Sequence, residues 1–214
     1  MPSQAYRRFI HNAVDVDRLV TSHRMLSTGT GGRKALGHIT RSGVVMLCAA
    51  WELYVEDLLI ECTRYLSNNT SKPLELPLQV QKYLAKRVRD NKNELKLLEL
   101  GGSGWRDVYI TYCQNEVRGI NTPKTTILEP IYEKFIGLKN LSDMWTIGGT
   151  YITDFVSVRG DIAHNGRSSS YINLWELIQY NDSIKFTAKE MDNKVCDYIF
   201  GLVTHTIQPW RRIR

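Results

Sequence analysis

Residues 36–66 constrain the fold more than any other stretch. Val44, Leu47, Cys48, Trp51, Tyr54, Val55, Leu58, Leu59 and Cys62 recur at steps of three and four, the rhythm of one face of a long α-helix. A helix that apolar must be covered, and the rest of the chain offers mainly more helices to cover it. The first helix is expected over about 4–25, with Phe9, Ala13, Val16, Leu19 and Val20 inward. Another begins near Pro77 and runs to about Leu100, where GGSG (101–104) ends it, and a further one covers about 106–118. INTPKTTILEPIYEKFIGL (120–138) reads as one or two short helices, with Thr122 capping before Pro123 and Pro130 forcing a boundary or kink. An amphipathic helix over about 150–165 follows, with Ile152, Phe155, Val156, Ile162 and Ala163 on its stripe. The segment 171–207 reads as a short helix, a turn near Asn181-Asp182 and a final long helix. No period-two alternation, internal repeat or low-complexity tract is visible. The expectation is an all-α helical bundle over residues 1–214, with two long core helices and additional short ones. STGTGGRK (27–34) is expected to be a flexible connector, and WRRIR (210–214) a frayed basic tail.

A chain of 214 residues can bury a sizeable core, and 43% apolar with 23% charged residues is ordinary for a globular protein. No apolar run reaches the roughly 18 residues of a membrane span. MPSQAYRRFIHNAV lacks the apolar core of a secretory signal, so a cytoplasmic location is expected. Cys48 and Cys62 fall on the same expected helix, about 21 Å apart and too far for a disulfide. With Cys113 and Cys196 they read as reduced core thiols. A formal charge of +6 leans toward a polyanionic partner.

Most candidate chemistry fails on spacing. TGTGGRK lacks the G-x-x-x-x-G-K-[ST] pattern, and no strand precedes it. His11, His23, His38 and His205 have no Cys or carboxylate at ligand spacing, and there is no H-E-x-x-H, so neither a metal nor another cofactor is expected. Lys82, Lys86 and Arg89 share one helical face, which reads either as a solvated face or as a candidate for tracking a phosphate backbone.

Arg159 and His164 are different. R-x-x-x-x-H occurs three times, at 18–23, 33–38 and 159–164, and sixteen arginines with five histidines make chance matches expected. Only Arg159 is centred on an apolar stripe, three residues from both Val156 and Ile162, where a guanidinium needs a partner or water. Only His164 directly precedes a helix-stopping Asn165-Gly166. Two readings are open on these residues: an arginine paired with Glu52 or Glu56 in the core beside a capping histidine, or a polar site.

RGDIAHNG, with its upstream helix, resembles the R-x4-6-H motif of the HEPN superfamily, small α-helical domains many of which are ribonucleases. RSGVVMLCAAWELYVEDLL (41–59) is similar to the long helix of the RiboL-PSP-HEPN group, and INTPKTTILEPIYEKFIGLKNLSDMW (120–145) to its Thr-Pro, short-helix and Trp stretch. The helix around MDNKVCDYIF also fits. The resemblance implies a homodimer with two motif copies across a cleft, and metal-independent endoribonuclease activity through attack of the RNA 2′-hydroxyl. Arg159 and His164 would be catalytic: the arginine stabilises the phosphorane charge, and the histidine moves protons. Asp161 would orient either of them, Asn165 would support the helix end, and Glu52 would be a partner of Arg159. A toxin or anti-phage defence effector with a cognate inhibitor or antitoxin, and no membrane partner, is the implied setting. Gly160 departs from the Asn, Asp or His common after the motif arginine, and so favours the alternative: a catalytically inactive HEPN-like module binding RNA, a nucleotide or a protein.

Overall fold

The long stripe is buried as expected. In the computed structural model, which describes residues 1–28, 35–204 and 207–214, α2 (Gly37–Asn69) is a 33-residue helix whose nine stripe residues are all at most 1% exposed. It is the axis of the bundle, packing against α1 (Gln4–Ser27), α4 (Gly104–Val117), α5 (Thr125–Ile136), α6 (Gly149–Asn165) and α7 (Leu174–Gly201). α3 (Leu78–Arg89) packs on α5. The fold is all-α, with no strand among the described residues. No described helix is long and apolar enough to cross a membrane. All four cysteines are free and buried.

Close approach to α7 explains Gly43: an added Cβ there would lie 2.6 Å from Leu177 Cδ2, an overlap that only a shift of the leucine could relieve. Phe9, Ala13, Val16 and Val20 of α1 are buried, while Leu19 is only partly so. The connector expected over 27–34 lies, beyond Thr28, outside the described residues, as do Arg33 and His205.

Four expectations need correction. The helix from Pro77 stops at Arg89, and Glu94–Leu100 forms a separate 3-10 turn. Asn91 Oδ1 accepts from Asn93 N–H at 2.9 Å and Asn93 Oδ1 from Leu95 N–H at 3.0 Å, so side-chain amides there take over hydrogen bonds that a helix would give to its backbone. Thr122 caps nothing; α5 starts at Thr125 behind Lys124, and Pro130 sits inside it without ending it. Leu128, Ile131, Tyr132 and Phe135 bracket the proline and are buried, so packing holds the turn together. α7 is unbroken through Asn181-Asp182. The Asn181 amide donates to Asp17 Oδ1 on α1 at 2.7 Å, where Lys185 also binds, so its side chain serves the helix–helix contact rather than a turn.

The fourth correction is the tail, which is docked rather than frayed. Trp210 is buried and its indole donates to Asp192 O at 3.1 Å. Arg211 N–H donates to Met1 O, Ile213 N–H to Asn193 Oδ1, and Lys189 Nζ to Arg214 O. The amino end closes on the same place, where the Ser3 hydroxyl donates to Asp192 Oδ1.

Asp192 is fully buried, and burial pushes its carboxyl up to about 6, against the opposing hydrogen bonds from Ser3 and with Glu61 adding repulsion. Because the folded value lies above the ordinary one, this group's stabilisation is complete below the usual aspartate range and is lost as pH rises through about 6. Relative to Asp192→Asn, the wild type should therefore lose up to about 3 kcal/mol of unfolding free energy between roughly pH 4 and pH 7. Parallel denaturation curves for the two proteins across that window would contradict this.

Candidate functional site

α6 is anchored at its start. A Cβ on Gly149 would meet Thr125 Cγ2 at 2.6 Å and Ser142 Cβ at 2.8 Å, so glycine lets the first turn press against α5 and the preceding loop. The hydroxyls of Thr125 and Thr153 lie 3.0 Å apart, and Glu190 of α7 accepts from Thr146 N–H at 2.9 Å. Ile152, Phe155, Val156 and Ile162 are buried as their spacing predicts. Ala163 is exposed, because the last turn runs past the packed part of the bundle.

Arg159 is half-buried on the side of α6 that faces α2. Its charge reaches two α2 side chains. Burial pushes the Cys48 thiol up to about 12, with Arg159 opposing and Glu52 reinforcing the shift. Burial also raises the Glu52 carboxyl, again opposed by Arg159. One turn on, burial and the neighbouring Glu52 and Asp57 charges push the Glu56 carboxyl up to about 7. Yet among the described residues Arg159 makes no hydrogen bond and no ion pair within 4.0 Å, and buried Glu52 Oε2 has no hydrogen-bond partner. The core ion pair with Glu52 or Glu56 is thus not formed.

His164 is exposed in the last turn of α6 and makes no hydrogen bond among the described residues. Five residues of α-helix separate it from Arg159, which places the two side chains about 140° apart around the axis and about 7.5 Å apart along it. Asp161 and Asn165 are tied to each other: the Asn165 amide donates to Asp161 Oδ1 at 2.6 Å, and Ser170 N–H donates to Asp161 Oδ2 at 3.0 Å. Those bonds, the Asn165 one first, hold the Asp161 carboxyl below the usual range. Asp161 therefore braces the turn over 166–170 instead of contacting His164 or Arg159. Gly166 caps the helix at φ +52°, with its N–H donating to Ile162 O. Gly160 is neither closely packed nor a bend: α6 runs through it, and an added Cβ would meet nothing within 4 Å.

The lysine–arginine face of α3 divides. Lys82 is exposed. Lys86 lines a cleft of about 630 Å³ with Arg87, Lys92 and Lys134. Arg89 pairs with its neighbour Asp90 at 3.1 Å and borders a different cleft beside Leu97 and Leu100. Sequence reasoning passes over a second basic cluster. His38, Arg41 and Arg167 line a cleft of about 450 Å³ with Tyr171, beside the carboxyl end of α6. Its one legible signal is that Arg41 falls on the α2 row of Cys48 and Glu52, at i−7 and i−11. Among the described residues no three His, Cys, Asp or Glu side chains come together as ion ligands.

A helical bundle that presents an arginine and a histidine from the carboxyl half of one helix matches the arrangement implied by the HEPN resemblance. The family model described as RiboL-PSP-HEPN matches residues 18–197, and the chain belongs to this family. No curated protein and no solved structure matches it. Membership defines the coarse class, an RNase-like or nucleotide-binding helical module in a superfamily that includes ribonucleases.

Proposed function

We propose that residues 1–214 form one HEPN-type domain acting as a metal-independent endoribonuclease in the cytoplasm, as a toxin or anti-phage defence effector held in check by a cognate inhibitor. The observation that carries the reading is Arg159. A permanent cation on a half-buried helix face, with no carboxylate at ion-pair distance among the described residues, leaves its bidentate fork for an incoming phosphate. Three chain features support the rest: His164 stands exposed and makes no hydrogen bond among the described residues, the net charge is +6, and the arginine and imidazole leave α6 on different sides. A second copy across a twofold axis would set one subunit's arginine against the other's histidine and double the positive potential between them.

In the proposed reaction the 2′-oxygen forms a bond to the adjacent phosphorus, and the bond to the 5′-oxygen of the next nucleotide breaks. His164 accepts the 2′-hydroxyl proton, and an imidazolium, in the dimer that of the other copy, delivers a proton to the leaving oxygen. Arg159 stabilises the charge on the phosphorane oxygens. Glu52 would act on the guanidinium only through its charge from the α2 side, and the brace formed by Asp161 and Asn165 fixes the helix end that carries His164. Lys82, Lys86 and Arg89, on α3, would contribute to RNA affinity.

Purified protein is expected to cut single-stranded RNA in EDTA, leaving 2′,3′-cyclic phosphate and 5′-hydroxyl ends, and to spare an oligonucleotide with a 2′-deoxy group at the scissile position. Activity that needs added metal, or equal cleavage of the deoxy substrate, contradicts the mechanism. Gly160 favours a second reading. It leaves open space where relatives commonly have a polar side chain, and Asp161 is occupied elsewhere, so a non-cleaving module that binds RNA, a nucleotide or a protein partner fits the same fold. RNA binding without cleavage in any buffer would select it.

A further inference from the structure

The charged side chains lining the cleft at the carboxyl end of α6 are, among the described residues, all basic. His38 and Arg41 come from the first turns of α2, and Arg167 from the 3-10 turn just past the α6 cap; Ala35, Gly37 and Tyr171 complete the wall. Among the described residues no carboxylate lines it. Among the described residues, neither Arg41 nor Arg167 makes an ion pair or a hydrogen bond. The Arg41 guanidinium lies over the start of α2, since a Cβ on Gly37 would be 3.1 Å from Arg41 Nη1 and 3.4 Å from the Tyr171 ring. Two guanidiniums without an ion-pair partner among the described residues thus line one cleft, an arrangement suited to a bound anion. The larger basic cleft at Lys86 differs in this respect. Asp90 is in its lining, Lys134 is paired with Glu116, and Arg87 lies 5.4 Å from the Tyr112 ring centre.

Position links the smaller cleft to the candidate site. Arg159 acts on Cys48 and Glu52, whereas Arg167 and Tyr171 meet Gly37 and Arg41. α6 therefore runs antiparallel beside α2, and the cleft opens three residues beyond His164. From Cys48 to Arg41 is seven residues, about 10 Å along α2.

We infer that this cleft, through Arg41, Arg167 and His38, holds a backbone phosphate of single-stranded RNA next to the nucleotide at Arg159 and His164. The identity of the strand rests on the ribonuclease reading, while the phosphate chemistry stands apart from it. Such a contact binds ground state and transition state alike, so it sets affinity and the register of the strand rather than the chemical rate.

The test uses the full chain carrying His164→Ala, so that RNA stays intact, and a short unstructured fluorescein-labelled oligoribonucleotide read by anisotropy. Adding Arg41→Ala or Arg167→Ala is expected to raise Kd about tenfold each, the loss of a charge-assisted hydrogen bond. The slope of log affinity against log salt should shrink by about 0.7 per lost contact. In the otherwise wild-type chain the same substitutions should raise KM and leave kcat within about twofold. Unchanged Kd and salt slope in both variants, with circular dichroism matching the parent, would overturn the inference. So would an acidic peptide of equal charge that competes as well as RNA. Arginine-dependent binding without cleavage in the wild type would sink the nuclease reading and keep this cleft; cleavage with variant binding unchanged would do the reverse.

Discussion

Replacing His164 with alanine is expected to slow RNA cleavage by about 10²–10⁴-fold, the range for removal of a general acid–base group. The fold should be indifferent to the change. His164 is exposed and makes no hydrogen bond among the described residues, so its truncation falls in the surface class, within about 0.5 kcal/mol. Asp161, Asn165 and Gly166 hold the helix end without it. Arg159→Ala is expected to lose about 10²–10³-fold, as for a single donor to a developing anion, and it should also alter α2. Without its guanidinium, Glu52 loses the one influence that lowers its pKa against burial, so its carboxyl should move further up and be neutral over more of the pH range. Arg159→Lys keeps the charge but not the fork, and should recover only part of the loss. Single-turnover cleavage of a labelled RNA, alongside thermal melting, separates these effects. An alanine variant at His164 with undiminished rate removes it from the reaction; one that melts far below the wild type shows a structural role instead.

The parts of the fold that can be read from the sequence are those decided by local pattern. The α2 stripe, the Phe9-to-Val20 face of α1 and the buried side of α6 follow helical periodicity, because each face packs on other helices over most of its length. What is not legible depends on partners remote in the chain. Asn181-Asp182 carries the composition of a turn, and nothing nearby shows that Asp17, 164 residues away, takes the Asn181 amide into a helix–helix contact. The basic tail looks unanchored until Met1, Asp192 and Asn193 are seen to bind it. The break after Arg89 is a missed local signal: asparagines at 91 and 93 satisfy neighbouring amides themselves.

The candidate site divides in the same way. Arg159 on an apolar stripe and His164 before Asn-Gly are visible in the letters. Whether Arg159 is paired is not, because that depends on the register of α6 against α2, which places it near Cys48 and Glu52 but outside ion-pair distance. The Arg41–Arg167 cleft needs two segments more than a hundred residues apart, and no spacing rule connects them.

The register itself points to the second large effect. Trp51 precedes Glu52 on α2, is fully buried, and packs edge-on against Trp145 and tilted against Tyr54, each at 5.7 Å between ring centres. Its indole donates to Pro123 O at 3.4 Å. One side chain thus joins the spine to the turn before α5 and to the loop that delivers α6. Trp51→Ala removes these contacts from a site enclosed on every side, and should lower stability by about 3–5 kcal/mol. For a chain of this size that is a fall in melting temperature of roughly 6–20 °C. Trp51→Phe keeps a ring against Trp145 and should lose less than half as much. The functional consequence follows from geometry: a shift of α6 moves Arg159 relative to Glu52, and a displacement near 1 Å at a reacting group can lower rate by about 10². Cleavage by Trp51→Phe should therefore decline at a temperature where circular dichroism still reports a fully folded chain. If the folded fraction and activity fell strictly together as temperature rose, Trp51 would be stabilising the bundle without setting the position of Arg159.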